Sequence, residues 1–229
     1  MIEVFRKNPL FLRFWFSAIS SDLGSRMYSL ILLWLVYHWT GSALHVGLVM
    51  VATALPAVLI APFAGTLIDR YNKAVVMFLA DSIRTILLFM LAFLYFESLL
   101  NMSIIITVTV IISIASAFFT PASMSVLPSL VIKEHITQAN ATNQTSISAS
   151  AIAGPLVGVG IIATIGVVNA FLAGGIFFLA STIFLFGIKD NTEKTTISKT
   201  SAFNDLKEGW AILKEYPIVY KMLDKIVST

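Results

Sequence analysis

The sequence predicts an all-α membrane protein with six transmembrane helices, and three observations lead to this fold class. Of the 229 residues, 58% are hydrophobic and only 12% are charged, whereas soluble domains average about 25% charged residues. The apolar residues form six runs, each long enough to cross a hydrocarbon core of about 30 Å. The Lys and Arg residues lie mostly in alternate connections between these runs, which is the pattern of a polytopic membrane protein.

The basic residues also predict how the chain is oriented. The predicted spans are residues 11–38, 46–68, about 74–95, 104–130, 139–165 and 167–188. Basic residues precede the first span and follow the second, fourth and sixth, while the other three connections hold none. Because basic connections stay in the cytoplasm, we expect a multi-pass protein of the cell membrane with Met1 and Thr229 both cytoplasmic.

Prolines predict irregular helices. Pro56 and Pro62 are expected to kink the second span, and Pro121 and Pro128 are expected to interrupt the fourth.

The chain divides into three predicted parts. Residues 1–188 form the six-helix bundle, and residues 189–216 form a cytoplasmic linker with an amphipathic helix. In that helix Phe203, Leu206, Trp210 and Leu213 recur at helical spacing, which favours an interfacial position. Residues 217–229 are too short to cross a bilayer and are interpreted as the aborted start of a seventh span.

A short hydrophilic hinge joins the second and third spans and reads Gly65-x-x-x-Asp69-Arg70-x-x-Lys73. A Gly at the end of an apolar helix allows close approach of a neighbouring backbone. An acid followed by basic residues can bridge to neighbouring helix ends and their dipoles. The hinge therefore indicates a point where neighbouring helix ends are bridged, with Arg70 and Lys73 as ordinary cytoplasmic anchors of a membrane hairpin as the alternative.

With the spans placed, the chain resembles the N-terminal half of a major facilitator superfamily transporter, whose signature between its second and third helices is similar to the hinge. Further ordered matches, from residue 8 to about 215, point to the branch with macrolide-efflux proteins and the enterobactin exporter. They are Asn8–Trp15, Thr40–Ala43, Ala54–Pro56, Phe119–Ala122, Pro128–Val131, Ala139–Asn140 and Gly154–Gly158. The resemblance implies that the hinge is a cytoplasmic gating motif. It also implies a 3+3 inverted repeat, alternating access, and efflux of drugs or other amphiphilic small molecules, as in multidrug or macrolide resistance.

Three departures bear on what the resemblance implies. The fourth span carries no Arg, which many drug/proton antiporters of the superfamily have there. Ser150 and Val159 stand where the antiporter motif has glycines, so proton coupling is left open. The family has twelve spans, whereas this chain stops where the seventh should begin. The expectation is thus a truncated half of an exporter, with two alternatives: an inactive fragment, or a scaffold that pairs with a second six-helix half or a copy of itself.

Two polar faces within the spans are the candidate substrate and coupling site. In span one they are Asp22, Ser25, Arg26 and Ser29, and in span four Thr109, Ser113, Ser116 and Thr120. Residues three or four apart share one face of a helix, and charges inside a membrane are presumed to face a cavity or a partner. The resemblance adds that the first and fourth helices line the translocation cavity. The alternatives are an Asp22–Arg26 pair that only fixes packing and hydroxyls that bond their own backbone.

Three more groups carry expectations. Asp81 and Arg84 in span three are expected to join the charge network of the hinge, with helix packing as the alternative. Gly154, Pro155 and Gly158 form a small-residue face typical of close helix contact. Three amides that open the fifth span are candidates to line a polar vestibule; they are Asn140, Asn143 and Gln144.

Signals of an enzyme are missing from the sequence. Cys is absent, and the three His residues, His38, His45 and His135, have no metal-ligand spacing. No metal or cofactor is therefore expected. The net charge of +3 resides in alternate loops rather than on a DNA-binding face, so nucleic acid is not an expected partner. The expected partners are the lipid bilayer and a small amphiphilic substrate.

Overall fold

The computed structural model describes residues 8–68 and 70–188, apart from the side chain of Thr66, and this part contains six long α-helices. They are α1 (Pro9–Thr40), α2 (Ala43–Ile68), α3 (Lys73–Phe96), α4 (Met102–Val126), α5 (Ile136–Ile165) and α6 (Val167–Leu185). Two 3₁₀ turns, Leu127–Leu130 and Lys133–His135, join α4 to α5. The predicted linker helix and the tail at residues 217–229 lie outside the described residues.

Asparagine side chains cap three of these helices at their N-termini. The Oδ1 atoms of Asn8, Asn72 and Asn101 accept hydrogen bonds of 3.0–3.2 Å from the backbone N–H three residues on, where α1, α3 and α4 begin. An Asn at this position satisfies a backbone N–H that has no partner inside the helix. The end of α1 is set by Gly41, whose φ of 59° is left-handed and whose N–H donates to the carbonyl of Tyr37. The helix ends are therefore encoded locally.

Five of the six helices, α2 to α6, are long and apolar enough to cross a membrane. Helix α1 is long enough at 32 residues, but Asp22, Arg26 and several serines near its middle lower its hydropathy. The structure thus supports five spans by length and composition, and the total of six stays a prediction.

The helices pair in a defined order. Helix α1 packs against α5 and α6, helix α3 against α6 and α4, and helix α2 against α4. At the start of α1, Asn8 Nδ2 donates to the carbonyl of Leu130, just after α4. At the end of α1, Trp39 stacks on Tyr95 near the end of α3. Helix α1 therefore runs parallel to α3 and antiparallel to α4. We call the end of the bundle with the α2–α3 and α4–α5 connections the basic end, after Arg70, Lys73 and Lys133.

Only one of the two prolines expected to interrupt the fourth span does so. Helix α4 continues through Pro121 to Val126, and only then tightens into the 3₁₀ turn that contains Pro128. The predicted interruption at Pro121 is therefore wrong. Helix α2 is one helix through Pro56 and Pro62, and the kinks expected at these two residues stay a prediction. A Pro removes one backbone hydrogen bond, and membrane helices tolerate the loss because neighbouring groups satisfy the freed carbonyl.

The core consists of two apolar clusters with a polar layer between them. Helix α3 shows the arrangement, because Ala80 belongs to the cluster at the basic end and Leu88 to the cluster at the far end. Between them α3 buries Asp81, Arg84 and Thr85. The polar layer therefore lies near the middle of the bundle.

The outer surface of the bundle is strongly apolar. Large side chains on α2 and α5 are 61–69% exposed, namely Val58, Leu59, Ile152 and Leu156. Contiguous apolar surface of this kind is rare on soluble monomers and is suited to lipid chains. The surface and the length of the helices together indicate a multi-pass membrane protein.

Candidate functional site

A small cavity lies between α1, α2 and α4 near the middle of the bundle, and we call it the hydroxyl pocket. Its volume is about 90 Å³. Its lining residues are Ser25, Tyr28, Ser29, Thr53, Ala57, Thr109, Ile112, Ser113 and Ser116. Seven of these nine residues carry a hydroxyl and none carries a formal charge. The pocket therefore gathers hydroxyl groups near the middle of an apolar bundle, although most of its accessible surface is apolar.

Two hydrogen bonds between helices hold the pocket wall together. The hydroxyls of Tyr28 on α1 and Thr109 on α4 lie 2.8 Å apart. Ser113 Oγ on α4 donates to the backbone carbonyl of Thr53 on α2 over 2.6 Å. Because Tyr28, Thr109 and Ser113 are buried, these bonds tie the three helices to one another at the pocket.

The structure brings together only some of the residues expected at this site. Ser25, Ser29, Ser113 and Ser116 line the pocket, as does Thr109, whereas Asp22, Arg26 and Thr120 are absent from its lining. Asp22 is half-buried and Arg26 is exposed. Within residues 8–68 and 70–188 the two side chains form no ion pair with each other. The role expected of Asp22 and Arg26 stays a prediction.

The most deeply buried charges are Asp81 and Arg84, one turn apart on α3. Arg84 Nη1 lies 2.7 Å from Asp81 Oδ1, and the two residues are 2% and 0% exposed. Asp81 also accepts hydrogen bonds from Ser21 Oγ at 3.1 Å and from Ser181 Oγ at 2.5 Å. Ser17 Oγ lies 2.8 Å from Ser181 Oγ. The ion pair is thus the centre of a network that joins α1, α3 and α6.

Arg84 also contacts two aromatic rings. Its guanidinium carbon lies 4.9 Å from the ring centroid of Phe119 on α4 and 5.4 Å from that of Phe178 on α6. A cation over an aromatic face gains electrostatic attraction, so four helices stabilise this one side chain. Its Nε is buried and has no hydrogen-bond partner among the described residues. These contacts are those expected if the pair fixes helix packing, the alternative considered from the sequence.

The hinge is described only in part. Asp69 lies outside the described residues, so a link between Asp81 and the hinge acid stays a prediction. Beyond the adjoining residues and backbone of its own helix, no described atom lies within 4 Å of a Cβ added at Gly65, and the close approach expected there is not seen in this part of the chain. Arg70 is exposed, and its N–H donates to the carbonyl of Leu67 over 3.1 Å. Lys73 is half-buried at the start of α3.

The small residues of α5 face α1 closely. A Cβ added at Gly154 would lie 2.5 Å from the Cβ of Arg26, and one at Gly158 would lie 3.7 Å from the Cα of Met27. Non-bonded carbon atoms are optimally separated by about 3.5–4.0 Å, so a side chain at Gly154 would force α1 and α5 apart. Pro155 lies beside them and is half-buried.

A second cavity of about 490 Å³ lies between α4 and α5 toward the basic end. Its lining residues are Met124, Leu127, Asn140, Ala141, Asn143, Gln144 and Ile147. The three amides expected to form a vestibule are therefore neighbours around one cavity. Asn143 Oδ1 is buried there without a hydrogen-bond partner within the described part of the chain.

Several residues of these sites were missed by reasoning from the sequence. Tyr28 and Thr53 line the hydroxyl pocket, and Ser17, Ser21 and Ser181 surround the buried ion pair. A signal for two of them was present, because Ser17 and Ser21 are four residues apart on one face of α1. Residues 8–68 and 70–188 contain no cluster of three or more His, Asp or Glu side chains that could hold a metal ion.

The apolar surface and the long apolar helices define a polytopic membrane protein. The chain belongs to the transmembrane secretion effector family of the major facilitator superfamily, because the model of that family matches residues 5–224. The resemblance seen in the sequence motifs is thereby confirmed.

Curated relatives agree with this assignment. The chain is 30% identical over 204 residues to the uncharacterized MFS-type transporter YfiS of Bacillus subtilis. The matched region covers 87% of this chain and 48% of YfiS. It is 25% identical over 216 residues to macrolide efflux protein A of Streptococcus pyogenes. Here the matched region covers 93% of this chain and 53% of that protein. The chain thus spans about half the length of the curated relatives it matches.

Proposed function

We propose that this chain forms one six-helix half of a secondary transporter that exports amphiphilic small molecules by alternating access. The observation that carries the proposal is the hydroxyl pocket between α1, α2 and α4, which gathers seven hydroxyl-bearing residues at mid-depth in an apolar bundle. Transporter sites of this kind lie near the bilayer midplane at the interface between repeats. The name of macrolide efflux protein A supports export, and macrolides are our first test substrates.

The pairing of the helices supports the 3+3 inverted repeat. Exchanging α1 with α4, α2 with α5 and α3 with α6 converts the α1–α5 contact into α4–α2 and the α1–α6 contact into α4–α3. The α3–α6 contact is converted into itself. Helices α1 and α4 run antiparallel, as an inverted repeat requires. On this proposal the basic end is cytoplasmic, and the hinge takes part in closing that end.

A second six-helix bundle completes the cavity in this proposal. The relatives are about twice as long as the matched region, and a polar wall that meets hydrocarbon is costly. In this arrangement the hydroxyl pocket faces the second bundle. During the transport cycle the two bundles rock about the site between them.

An efflux assay tests the proposal. Bacteria that lack their own exporters carry the 229-residue chain alone, or together with the second six-helix half of macrolide efflux protein A, and accumulation of a labelled macrolide is measured. We expect energy-dependent efflux only with both halves. Ser113→Trp, which fills the pocket, should abolish efflux, whereas Ile183→Trp at a 61% exposed position should not.

Two results would contradict the proposal. One is unchanged accumulation when both halves are present in the membrane, which would favour a scaffold or an inactive fragment. The other is equal efflux by the Ser113→Trp and unsubstituted forms, which would remove the hydroxyl pocket from the transport path.

A further inference from the structure

The polar atoms that line the hydroxyl pocket are almost all hydrogen-bond acceptors. A backbone carbonyl can only accept, so a side-chain hydroxyl that is bonded to one must donate its single proton. Five lining hydroxyls are bonded in this way over 2.6–2.9 Å: Ser29 to Ser25, Thr53 to Val49, Thr109 to Ile105, Ser113 to Thr53 and Ser116 to Ile112. Their oxygens keep lone pairs but have no proton left to offer a ligand.

The proton of Tyr28 is committed as well. Its hydroxyl lies 2.8 Å from Thr109 Oγ1, and Thr109 already donates to the carbonyl of Ile105. The bond between them must therefore run from Tyr28 to Thr109. Ser25 is the lining hydroxyl for which the described residues provide no such bond. Six of the seven hydroxyl oxygens can thus act toward a ligand only as acceptors.

A pocket with this lining favours ligands that donate hydrogen bonds over ligands that accept them. A primary ammonium group has three N–H donors and no lone pair, so each of its N–H groups can donate to one of these acceptors. Hydrogen bonds from an ionised donor are roughly twice as strong as those between neutral groups. A carboxylate has only acceptor oxygens, which would face the acceptor oxygens of the pocket and gain no hydrogen bond. An alcohol has one O–H donor and can form only one such bond. The volume of about 90 Å³ suits an ammonium head with its first carbon atoms and excludes a large ring system.

We propose that the hydroxyl pocket binds the protonated amine of an amphiphilic substrate through N–H bonds to these acceptor oxygens. This inference rests on the proposed function, since it names the substrate class for the same pocket. The apolar remainder of the substrate lies outside the pocket. A quaternary ammonium ion, which carries the charge but has no N–H, is a poor ligand.

Binding of small probes to the 229-residue chain tests this inference. The chain is placed in lipid nanodiscs, and empty nanodiscs give the background. Equilibrium dialysis then measures n-butylammonium, n-butyltrimethylammonium and n-butanol, whose short chains limit partition into lipid. We expect n-butylammonium to bind at least about tenfold more tightly than either other probe, a ratio equivalent to about 1.4 kcal/mol.

Matched variants on α4 locate the binding. Thr109→Val removes an acceptor oxygen from the pocket, whereas Thr107→Val removes a hydroxyl with the same bond to a carbonyl four residues back but at an exposed position outside the pocket. We expect Thr109→Val to weaken n-butylammonium binding several-fold and Thr107→Val to leave it unchanged. If Thr109→Val lowers the melting temperature of the chain, Ser116→Ala provides the same test at a half-buried position.

The outcomes separate this inference from the proposed function. Equal binding of n-butylammonium and n-butyltrimethylammonium, or n-butylammonium binding that survives both pocket substitutions, would overturn it. Efflux of neutral amphiphiles without ammonium binding would overturn the inference and leave the transport proposal standing. Ammonium binding to the chain without efflux by the completed transporter would overturn the transport proposal alone.

Discussion

Removal of one partner of the Asp81–Arg84 pair should be among the most destabilising changes in the bundle. The pair is 2.7 Å apart and almost fully buried. Asp81→Asn keeps the size of the side chain but leaves the Arg84 charge unpaired in the core. Breaking a buried ion pair in this way costs about 3–5 kcal/mol of unfolding free energy.

The opposite change should be milder. Arg84→Met leaves the carboxylate of Asp81 with its hydrogen bonds from Ser21 and Ser181. Hydrogen bonds to a charged group contribute about 1.5–3 kcal/mol each, so these two bonds offset part of the loss. The double variant Asp81→Asn/Arg84→Met contains no unpaired charge. Because an apolar replacement of a buried pair is often neutral, we expect it to lie within about 2 kcal/mol of the unsubstituted chain.

A double-mutant cycle measures these differences. The chain and its three variants are unfolded in detergent micelles by titration with SDS and followed by tryptophan fluorescence, with the exposed Thr107→Val as the control. If the double variant costs as much as the sum of the two single variants, Asp81 and Arg84 are not coupled. The interpretation of the network as a junction of helices would then be refuted.

Three further predictions concern topology, packing and coupling. With no native Cys in the chain, a membrane-impermeant maleimide added outside intact cells should label Glu97→Cys but not Lys133→Cys, and the reverse pattern would invert the orientation. Gly154→Ala should lower the amount of chain in the membrane, since overpacking costs about 1–3 kcal/mol. Gly160→Ala in the same helix should not, because its added Cβ meets no neighbouring helix within 4 Å in the described part of the chain. Equal amounts of the two variants would exclude a tight contact at Gly154. In the completed transporter, Asp22→Asn should abolish energised efflux at normal abundance, and a fall in abundance would instead assign Asp22 to packing.

Local and periodic features were readable from the sequence. The limits of the helices follow from hydropathy, and Asn72 at the start of α3 is a capping residue by type. Ser113 and Ser116 on α4, and Ser25 and Ser29 on α1, lie on shared faces because residues three or four apart do so in any helix. These four serines reach the same pocket in the structure.

Features that depend on which helices pair could not be read in the same way. Thr53 joins the pocket because α2 packs on α4, and Ser181 reaches Asp81 because α6 packs on α3. Periodicity within one helix contains no information on such pairs. Pro121 was misjudged because the tolerance of a membrane helix for Pro depends on its neighbours. Asp22 was grouped with the pocket by its spacing and because a charge inside a membrane is presumed to face a cavity, although the lining does not include it.

Substrate protection of one cysteine tests the central claim most directly. Ser113→Cys is the single thiol of an otherwise Cys-free chain, and its reaction with a maleimide is followed in membranes that contain both halves, with Ile183→Cys on the outer surface as the control. We expect a macrolide to slow the labelling of Ser113→Cys in proportion to its occupancy and to leave Ile183→Cys unaffected. Labelling of Ser113→Cys at the same rate with and without saturating, exported macrolide would contradict a transport path through the hydroxyl pocket.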